Sequence, residues 1–343
     1  MKASQRRLQR LLQHLEPARR LLILTHDNPD PDALASGWVL RTIVRRRLGL
    51  RADLAHGGII GRAENRALVR LLRIPLRRLG EIRLRAARYD AIALVDTQPA
   101  AGNNLLPAGR LPDVVIDHHP VRRATREVPF VDVRPGYGAC ASMLFEYLRA
   151  AGLLEDRRLA TALFYAIRSE TQNLGREATS GDRGAFQALF PRVDNRLIAR
   201  IEQAPIARDY LALLNSAFEA TRLYGSLSVT RLGRMPYPDV AAELADLLLR
   251  IDEVRWAFVS GIYRDRLYLS IRTSQRRRNA GRLLQRVVGD AGRAGGHGMM
   301  AGGSVPLDGP GDAPRVQRRI ARRLREELGV GGQRGRPLLR GGS

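Results

Sequence analysis

Three short apolar runs in this chain each end in carboxylate or imidazole side chains, and that repetition constrains the fold more than any other feature. Leu21–Thr25 runs into His26-Asp27-Asn28-Pro29-Asp30-Pro31-Asp32, Ala91–Val95 runs into Asp96, and Val114–Ile116 runs into Asp117-His118-His119. Apolar runs of this length, bounded by turn-forming residues, read as buried strands. A weaker strand is expected at Ala52–Ala55, and helical apolar spacing covers residues 4–18, 34–47, 64–73, 141–151 and 157–169. Strand alternating with helix predicts an α/β fold with a mostly parallel, doubly wound sheet. In such a sheet the carboxyl ends of the strands line one edge, where ligands bind. His26, Asp30, Asp32, Asp96, Asp117, His118 and His119 are therefore expected to converge.

The local spacing supports convergence. Asp30 precedes Pro31, which pushes its backbone into an extended conformation. Residues two apart in an extended segment face the same way, so Asp30 and Asp32 can point into one site. Carboxylates and imidazoles packed together repel or lose charge unless cations neutralise them. Mixed histidine and aspartate ligation suits Mn²⁺, Zn²⁺ or Fe²⁺, and carboxylate-rich sets also take Mg²⁺. Two metals about 3.5–4 Å apart that share a carboxylate are a common hydrolytic arrangement.

The second part of the chain has a different rhythm. Residues 206–222 read as a connecting helix. Strands are expected at Leu227–Leu232, Trp256–Tyr263 and Arg266–Thr273, the last two forming a hairpin around Arg264–Asp265. Helices are expected over 240–250, 280–288 and 314–328, with a glycine-rich loop at Gly292–Gly303. The division is thus a metal-binding domain over 1–205, the linker 206–222, a smaller α/β domain over 223–328 and a Gly/Arg-rich tail, 329–343, expected to be disordered.

Charge bears on the ligand. The chain carries 58 lysines and arginines against 34 acidic residues, a net +24. Lys2 is its one lysine, so part of this is compositional bias, but a charge of that size still attracts polyanions. Aromatic residues make up 5%, too few for extended stacking platforms, which favours short substrates. The single cysteine, Cys140, excludes a disulfide framework and a multi-cysteine zinc site and fits a cytoplasmic location. No apolar run approaches the ~20 residues of a membrane span, and the basic N-terminus lacks a signal core, so no membrane association is expected. The arginine runs 45–47, 276–278 and 318–323 read as solvated faces.

THDNPDPDA, the Asp96 segment ALVDTQP and VVIDHHP together resemble the first three motifs of the DHH phosphoesterase family, and RAGGHGMMAGG resembles the GGGH-type motif of its DHH-associated C-terminal domain. The resemblance spans about residues 20–310 and is nearest to the branch described as oligoribonucleases and 3′-phosphoadenosine-5′-phosphate phosphatases. It implies that His26 and Asp30 bind one metal, that Asp96 bridges to a second, and that Asp32 and His118 complete much of that second site. It further implies that Asp117 orients His118 and that His119 faces the scissile phosphate as a hydrogen-bond donor or acid. The family's fourth motif ends a helix with a metal-binding aspartate; here the matching position is Glu170, one methylene longer, with Asp182 as the alternative.

For substrate binding the resemblance implies His297, Gly295, Gly296 and Arg272 in the second domain, across an interdomain cleft. Glycines let backbone N–H groups approach a phosphate, and an arginine can grip one with two parallel bonds. His56 follows the second strand and falls near the same edge, with Arg62 and Asn65 placed to contact a phosphate or base. The expected protein is a metal-dependent phosphoesterase using a hydroxide activated by two divalent cations, most simply Mn²⁺, with Mg²⁺ or Co²⁺ as substitutes. Its substrates would be short RNA or DNA oligonucleotides or small nucleotides, and a homodimer is compatible with this reading. The alternatives are a cyclic-dinucleotide phosphodiesterase, an inorganic pyrophosphatase or polyphosphatase, and a catalytically degenerate nucleic-acid-binding protein.

Overall fold

The computed structural model describes residues 2–81, 89–107, 109–309 and 311–339. The chain divides into two units, Met1–Ala204 and Pro205–Ser343.

In the first unit β1 (Arg20–Leu24), β2 (Arg51–His56), β3 (Leu76–Arg78), β4 (Ala91–Val95), β5 (Val114–Asp117) and β6 (Phe130–Val133) form a parallel sheet in the order β3-β2-β1-β4-β5-β6. The helices are α1 (Lys2–Leu15), α2 (Pro31–Leu48), α3 (Ala63–Leu72), α4 (Cys140–Ala150), α5 (Arg157–Glu170), α6 (Ser180–Leu189) and α7 (Asn195–Glu202). Alternate strand residues face opposite layers. Leu21, Ile23, Ala93, Val95 and Ile116 join the helices in the main core, while Leu22, Leu24, Ile92, Leu94 and Val115 face a smaller cluster with Leu79, Tyr89 and Val128. The reversal of strand order between β1 and β4 explains this asymmetry. Right-handed crossovers place the β1–β2 and β2–β3 connections, with α2 and α3, on one face. The connections after β4 fall on the other face, and their described residues pack there through loops and a short 3₁₀ turn.

Helix α2 sits at the centre of the main core. Asp30 caps it, its carboxylate accepting from the Ala33 N–H at 3.0 Å, with Pro31 in the first turn and Gly49 ending it in the left-handed conformation at φ 68°. That cap points the residues before α2 toward the edge where β1 ends. In this unit β3, β6, α6 and α7 were not expected from sequence: the two strands are very short, and the two helices are short amphipathic segments at the end of the unit.

The second unit contains α8 (Arg208–Ala220), β7 (Arg222–Tyr224), β8 (Leu227–Arg234), α9 (Val240–Leu248), β9 (Trp256–Tyr263), β10 (Arg266–Thr273), α10 (Ala280–Val288), β11 (Arg293–His297), β12 (Met300–Pro306), α11 (Ala313–Glu327) and β13 (Arg336–Pro337). The sheet order is β11-β12-β10-β9-β8-β7-β13, with β8 and β9 parallel and the other neighbours antiparallel. The expected hairpin around Arg264–Asp265 is β9–β10. Residues 206–222 do more than connect, since Leu213, Leu214, Ala217 and Phe218 of α8 pack into a core of this unit. The tail from Gly329, read as disordered from its composition, instead lays Arg336 opposite Leu223 of β7, with Leu338 packed beside it. Residues 340–343 lie outside the described residues.

Candidate metal centre

Strand β1 delivers His26, β4 delivers Asp96 and β5 delivers Asp117, His118 and His119 to one edge of the parallel sheet. β1 and β4 are neighbours at the point where strand order reverses, so their carboxyl ends open a crevice there. Asp96 occupies it in a left-handed conformation, φ 59°, which a side chain other than glycine adopts at a cost and usually for a functional reason. Its Oδ2 lies 3.6 Å from His26 Nε2 and its Oδ1 lies 3.5 Å from His118 Nε2. His26 Nε2 also stands 3.7 Å from Asp30 Oδ1. Two groups of ligand atoms result, His26-Asp30-Asp96 and Asp96-His118-His119, each within 4.8 Å, and Asp96 belongs to both.

These residues fit divalent cations. Asp96 Oδ1 is buried without a hydrogen-bond partner, a desolvated acceptor that a cation would satisfy. The His26 ring has its Nδ1 placed on the Asp27 carbonyl at 2.9 Å, and the His118 ring has its Nδ1 on the Tyr137 carbonyl at 3.1 Å, so both rings turn Nε2 toward Asp96. Burial alone would lower both imidazole pKa values, yet the surrounding carboxylates raise them, chiefly Asp30 and Asp96 for His26 and Asp96 and Glu170 for His118.

Asp32 is buried in the first turn of α2, and its carboxylate accepts the Cys140 and Ala141 N–H groups at the start of α4, at 2.8 and 2.7 Å. Its Oδ2 lies 3.7 Å from His118 Nε2. Burial and then the charges of Asp96, Asp30 and Glu170 raise its pKa well above the ordinary carboxylate value. Glu170 ends α5, and its pKa is raised by burial first and by Asp30 second, while Arg176 and His118 oppose the rise. Its carboxylate lies 3.5 Å from Arg176 Nη2. Asp182, the alternative to Glu170, has Oδ2 committed to the Gly138 and Thr179 N–H groups, both at 2.8 Å, and to the Thr179 hydroxyl at 2.7 Å. It caps α6 and holds the peptide whose Tyr137 carbonyl seats His118.

One expected role changes. Asp117 Oδ1 accepts from His119 Nδ1 at 2.8 Å, so the carboxylate orients the His119 ring, whereas it meets His118 only through the backbone N–H, at 2.8 Å. The reason is rotational: His118 turns Nε2 to Asp96 and Asp32, whereas His119 sets Nδ1 on Asp117, with Asp96 Oδ1 3.8 Å away. Burial works to raise the Asp117 carboxyl, but its hydrogen bond and ion pair with His119 prevail and hold it at about 2. Sequence reasoning missed Gln98, buried in the segment after Asp96. Its Nε2 donates to Asp117 Oδ2 at 2.6 Å, and its Oε1 accepts from the Arg122 N–H at 2.9 Å and the Thr125 hydroxyl at 2.7 Å. A glutamine two residues beyond a strand-end aspartate was the available signal.

His56 ends β2 one strand outward from His26 and is buried. Arg62 occupies the N-cap position of α3 without a side-chain cap bond. Asn65 is buried, and its amide faces the Pro29 carbonyl at 3.5 Å, so it supports the loop before α2 from behind.

In the second unit the glycine-rich segment is a β-hairpin, β11–β12, and not a loop. Gly295 and Gly296 pair with Gly302 and Ala301. A Cβ on Gly281 of α10 would stand 1.9 Å from the Gly296 carbonyl oxygen, so Gly281 lets helix and hairpin touch, while Gly296, at φ 138°, leaves room for Met300 and Ala301 of β12. His297 ends β11; its side chain lies outside the described residues. Arg272 donates from Nε to Asp246 Oδ1 at 2.7 Å and from Nη1 to Ser270 Oγ at 3.0 Å. Part of the expected two-bond grip on phosphate is thus already taken by Asp246, a partner on α9 with no sequence signature.

Comparison with known proteins agrees with this arrangement. The family described as "DHH family, N-terminal domain" matches residues 20–167, and the DHHA1 domain matches residues 226–326. An uncharacterized protein of Methanocaldococcus jannaschii is 37% identical over 290 residues, 84% of this chain, and the chain spans 58% of that protein's length. The crystal structure of an exopolyphosphatase-related protein from Bacteroides fragilis superposes with a TM-score of 0.74 at 13% identity, covering 96% of this chain and 98% of that one, a likeness of fold. Among the described residues no helix is long and apolar enough to cross a membrane. The chain carries a DHH-family N-terminal domain followed by a DHHA1 domain.

Proposed function

We propose that this protein is a divalent-metal-dependent phosphoesterase that hydrolyses phosphodiester bonds of short oligonucleotides, with 3′-phosphoadenosine-5′-phosphate as a related substrate. The observation that carries the reading is Asp96, whose two oxygens face His26 on one side and His118 on the other. His26, Asp30 and Asp96 would hold one cation, and Asp96, His118, Asp32 and Glu170 the other. Such a pair, Mn²⁺ by preference for the mixed donor set, supplies Lewis acidity toward a phosphate and lowers the pKa of water.

The chain's own groups do the rest. Asp117 holds the proton of His119 Nδ1, so a proton given to a leaving oxygen departs from Nε2. Burial lowers the His119 pKa, but the Asp117 hydrogen bond and charge raise it overall, which favours the protonated ring. Gln98 fixes Asp117, and Asp182 fixes the peptide that seats His118. His297, Gly295, Gly296 and Arg272 are assigned to holding substrate phosphate, Arg272 from a position set by Asp246.

The test offers purified protein with Mn²⁺ a dinucleotide, a five-nucleotide RNA, cyclic di-AMP, 3′-phosphoadenosine-5′-phosphate and inorganic polyphosphate, with products resolved by chromatography. The reading expects nucleoside monophosphates from the linear oligonucleotides. The Bacteroides fragilis neighbour is described as exopolyphosphatase-related. Release of phosphate from polyphosphate alone would therefore replace the nucleotide reading with that one.

A further inference from the structure

A largely buried ion network joins β6, α4 and α1 in the first unit, and no role assigned so far uses it. Arg134, just past the end of β6, donates from Nε to Asp132 Oδ1 at 2.7 Å and from Nη1 to Glu146 Oε2 on α4 at 2.9 Å. Glu146 also accepts from the Tyr137 hydroxyl and, at 3.0 Å, from the Ser4 hydroxyl of α1. Asp132 accepts from the Tyr147 hydroxyl at 2.8 Å, and Arg7 of α1 stands 3.9 Å from it. Burial alone would raise the Glu146 carboxyl, but the bonds from Tyr137 and Arg134 outweigh it and lower its pKa, so the group that receives them is a carboxylate.

One short turn connects this network to the metal centre. The Arg134 N–H donates to the Asp117 carbonyl at 2.9 Å, extending the pairing of β6 with β5, and the Tyr137 N–H closes the turn on the Arg134 carbonyl at 3.1 Å. The Tyr137 ring packs under Arg134, whose Cζ is 5.4 Å from the ring centroid. It also packs against α6, where a Cβ on Gly181 would stand 2.6 Å from its Cε1. Its hydroxyl ends on Glu146 Oε1, and its carbonyl faces His118 Nδ1 at 3.1 Å. Tyr137 thus has its side chain anchored in the network and its backbone on the ring of a candidate metal ligand.

We infer that Tyr137 is a positioning residue for the cation at His118: its hydroxyl is anchored on Glu146 so that its carbonyl holds the imidazole with Nε2 toward Asp96 and Asp32. The inference rests on the two-cation centre of the reading above and adds to it side chains that ligate neither cation. A histidine that binds metal through Nε2 gives its Nδ1 proton to an acceptor, and loss of such a partner weakens metal binding by about 10–100-fold. Holding the fold together does not account for the tyrosine hydroxyl. Arg134, Asp132 and Glu146 tie β6 to α4 without it, and Ser4 ties α1 to the same carboxylate. Buried ion pairs are in any case a weak source of stability, because desolvation offsets most of their attraction. What the Tyr137 hydroxyl adds is the placement of its own peptide, the one whose carbonyl meets His118.

The test compares two hydroxyl deletions and reads metal binding without turnover. Tyr137→Phe and Ser4→Ala each remove one donor to Glu146, but only the first belongs to the peptide at His118. Metal-free full-length protein is titrated calorimetrically with Mn²⁺, and urea unfolding in EDTA reads the stability of the same preparations. The wild type should bind two cations. Tyr137→Phe should bind one of them at least ~10-fold more weakly and the other unchanged. Ser4→Ala should keep both affinities, even where the two variants lose similar stability. Equal shifts in the two variants, unchanged affinities in Tyr137→Phe, or parallel weakening of both cations would each overturn the inference and leave the two-cation centre standing. A wild type that binds fewer than two cations would overturn both. A wild type that cleaves no phosphodiester yet shows the selective loss in Tyr137→Phe would overturn the phosphoesterase reading alone.

Discussion

His26 Nε2 lies 3.6 Å from Asp96 Oδ2 across the point where the strand order of the parallel sheet reverses. The two residues are far apart in sequence and end adjacent strands, so only the pairing of β1 with β4 makes them neighbours. The other oxygen of the same carboxylate faces His118 at 3.5 Å. Asp96 is thus the one acceptor that both imidazoles share.

Asp96→Asn tests that sharing directly. Asparagine tolerates the left-handed backbone, so the variant should fold, yet it cannot offer a charged oxygen to both sides. Turnover should fall by over ~10³-fold, several kcal/mol of lost barrier reduction. Metal analysis should show fewer than two tightly held cations per chain. Retention of more than about a tenth of the wild-type rate would show that Asp96 does not bridge.

Glu170 stands where an aspartate was expected, and its raised pKa reports a carboxylate buried beside Asp30. Glu170→Gln should weaken binding of one cation and raise the Mn²⁺ concentration needed for half-maximal activity, whereas Glu170→Asp should keep part of it. Identical metal dependence in wild type and both variants would place Glu170 outside the centre.

Asp117 raises the His119 pKa through the 2.8 Å hydrogen bond to Nδ1 and its charge, and with Asp96 it outweighs burial and the opposing charge of His118. A general acid stops working as pH climbs past its pKa, so activity should decline on the alkaline side as His119 loses its proton. Asp117→Asn removes the charge that holds this proton, and the alkaline limb of the kcat profile should move to lower pH with a reduced maximum. An unmoved alkaline limb would detach His119 from proton transfer.

Burial pushes the Asp27 carboxyl from 3.8 up to about 6, against the opposing pull of His26. A group whose folded pKa is raised favours the folded state below its unfolded pKa, and that contribution disappears as pH rises through the folded value. Metal-free protein should therefore lose stability between about pH 4 and 6 from this group, by roughly 1–2 kcal/mol after discounting for its partial exposure. Asp27→Asn should flatten that part of the profile and raise stability at pH 7, as read by urea unfolding in EDTA. A profile of unchanged slope would assign the pH dependence to other groups.

Asp182→Ala removes the acceptor of two backbone donors, the Gly138 and Thr179 N–H groups. Loss of a buried acceptor and of a helix cap should cost about 2–4 kcal/mol, measurable as a lower urea midpoint. Because the Tyr137 carbonyl shifts with Gly138, the affinity for one cation should fall as well. A destabilised variant with wild-type metal affinity would limit Asp182 to capping α6.

Much of the site was legible in the sequence because its chemistry is written at strand ends. Short apolar runs set β1, β4 and β5, and a parallel sheet puts the residues after them on one edge whatever the side chains are. Asp30 before Pro31 likewise announced the cap and start of α2. The partners that tune those groups were not legible, because each is chosen by packing between segments distant in sequence. Asp117 serves His119 because the His118 ring turns inward, Asp246 takes Arg272 Nε, and Gln98 ties the two strand-end loops together. The glycine-rich segment was read as a loop, yet it folds as the β11–β12 hairpin, against which Gly281 lets α10 pack closely. Strand direction alone, readable from the apolar runs, put these acids and imidazoles on a shared edge. Which nitrogen faces which oxygen depended on the packed fold, because rotamers and backbone approach within a few tenths of an ångström are settled by close packing and not by local pattern.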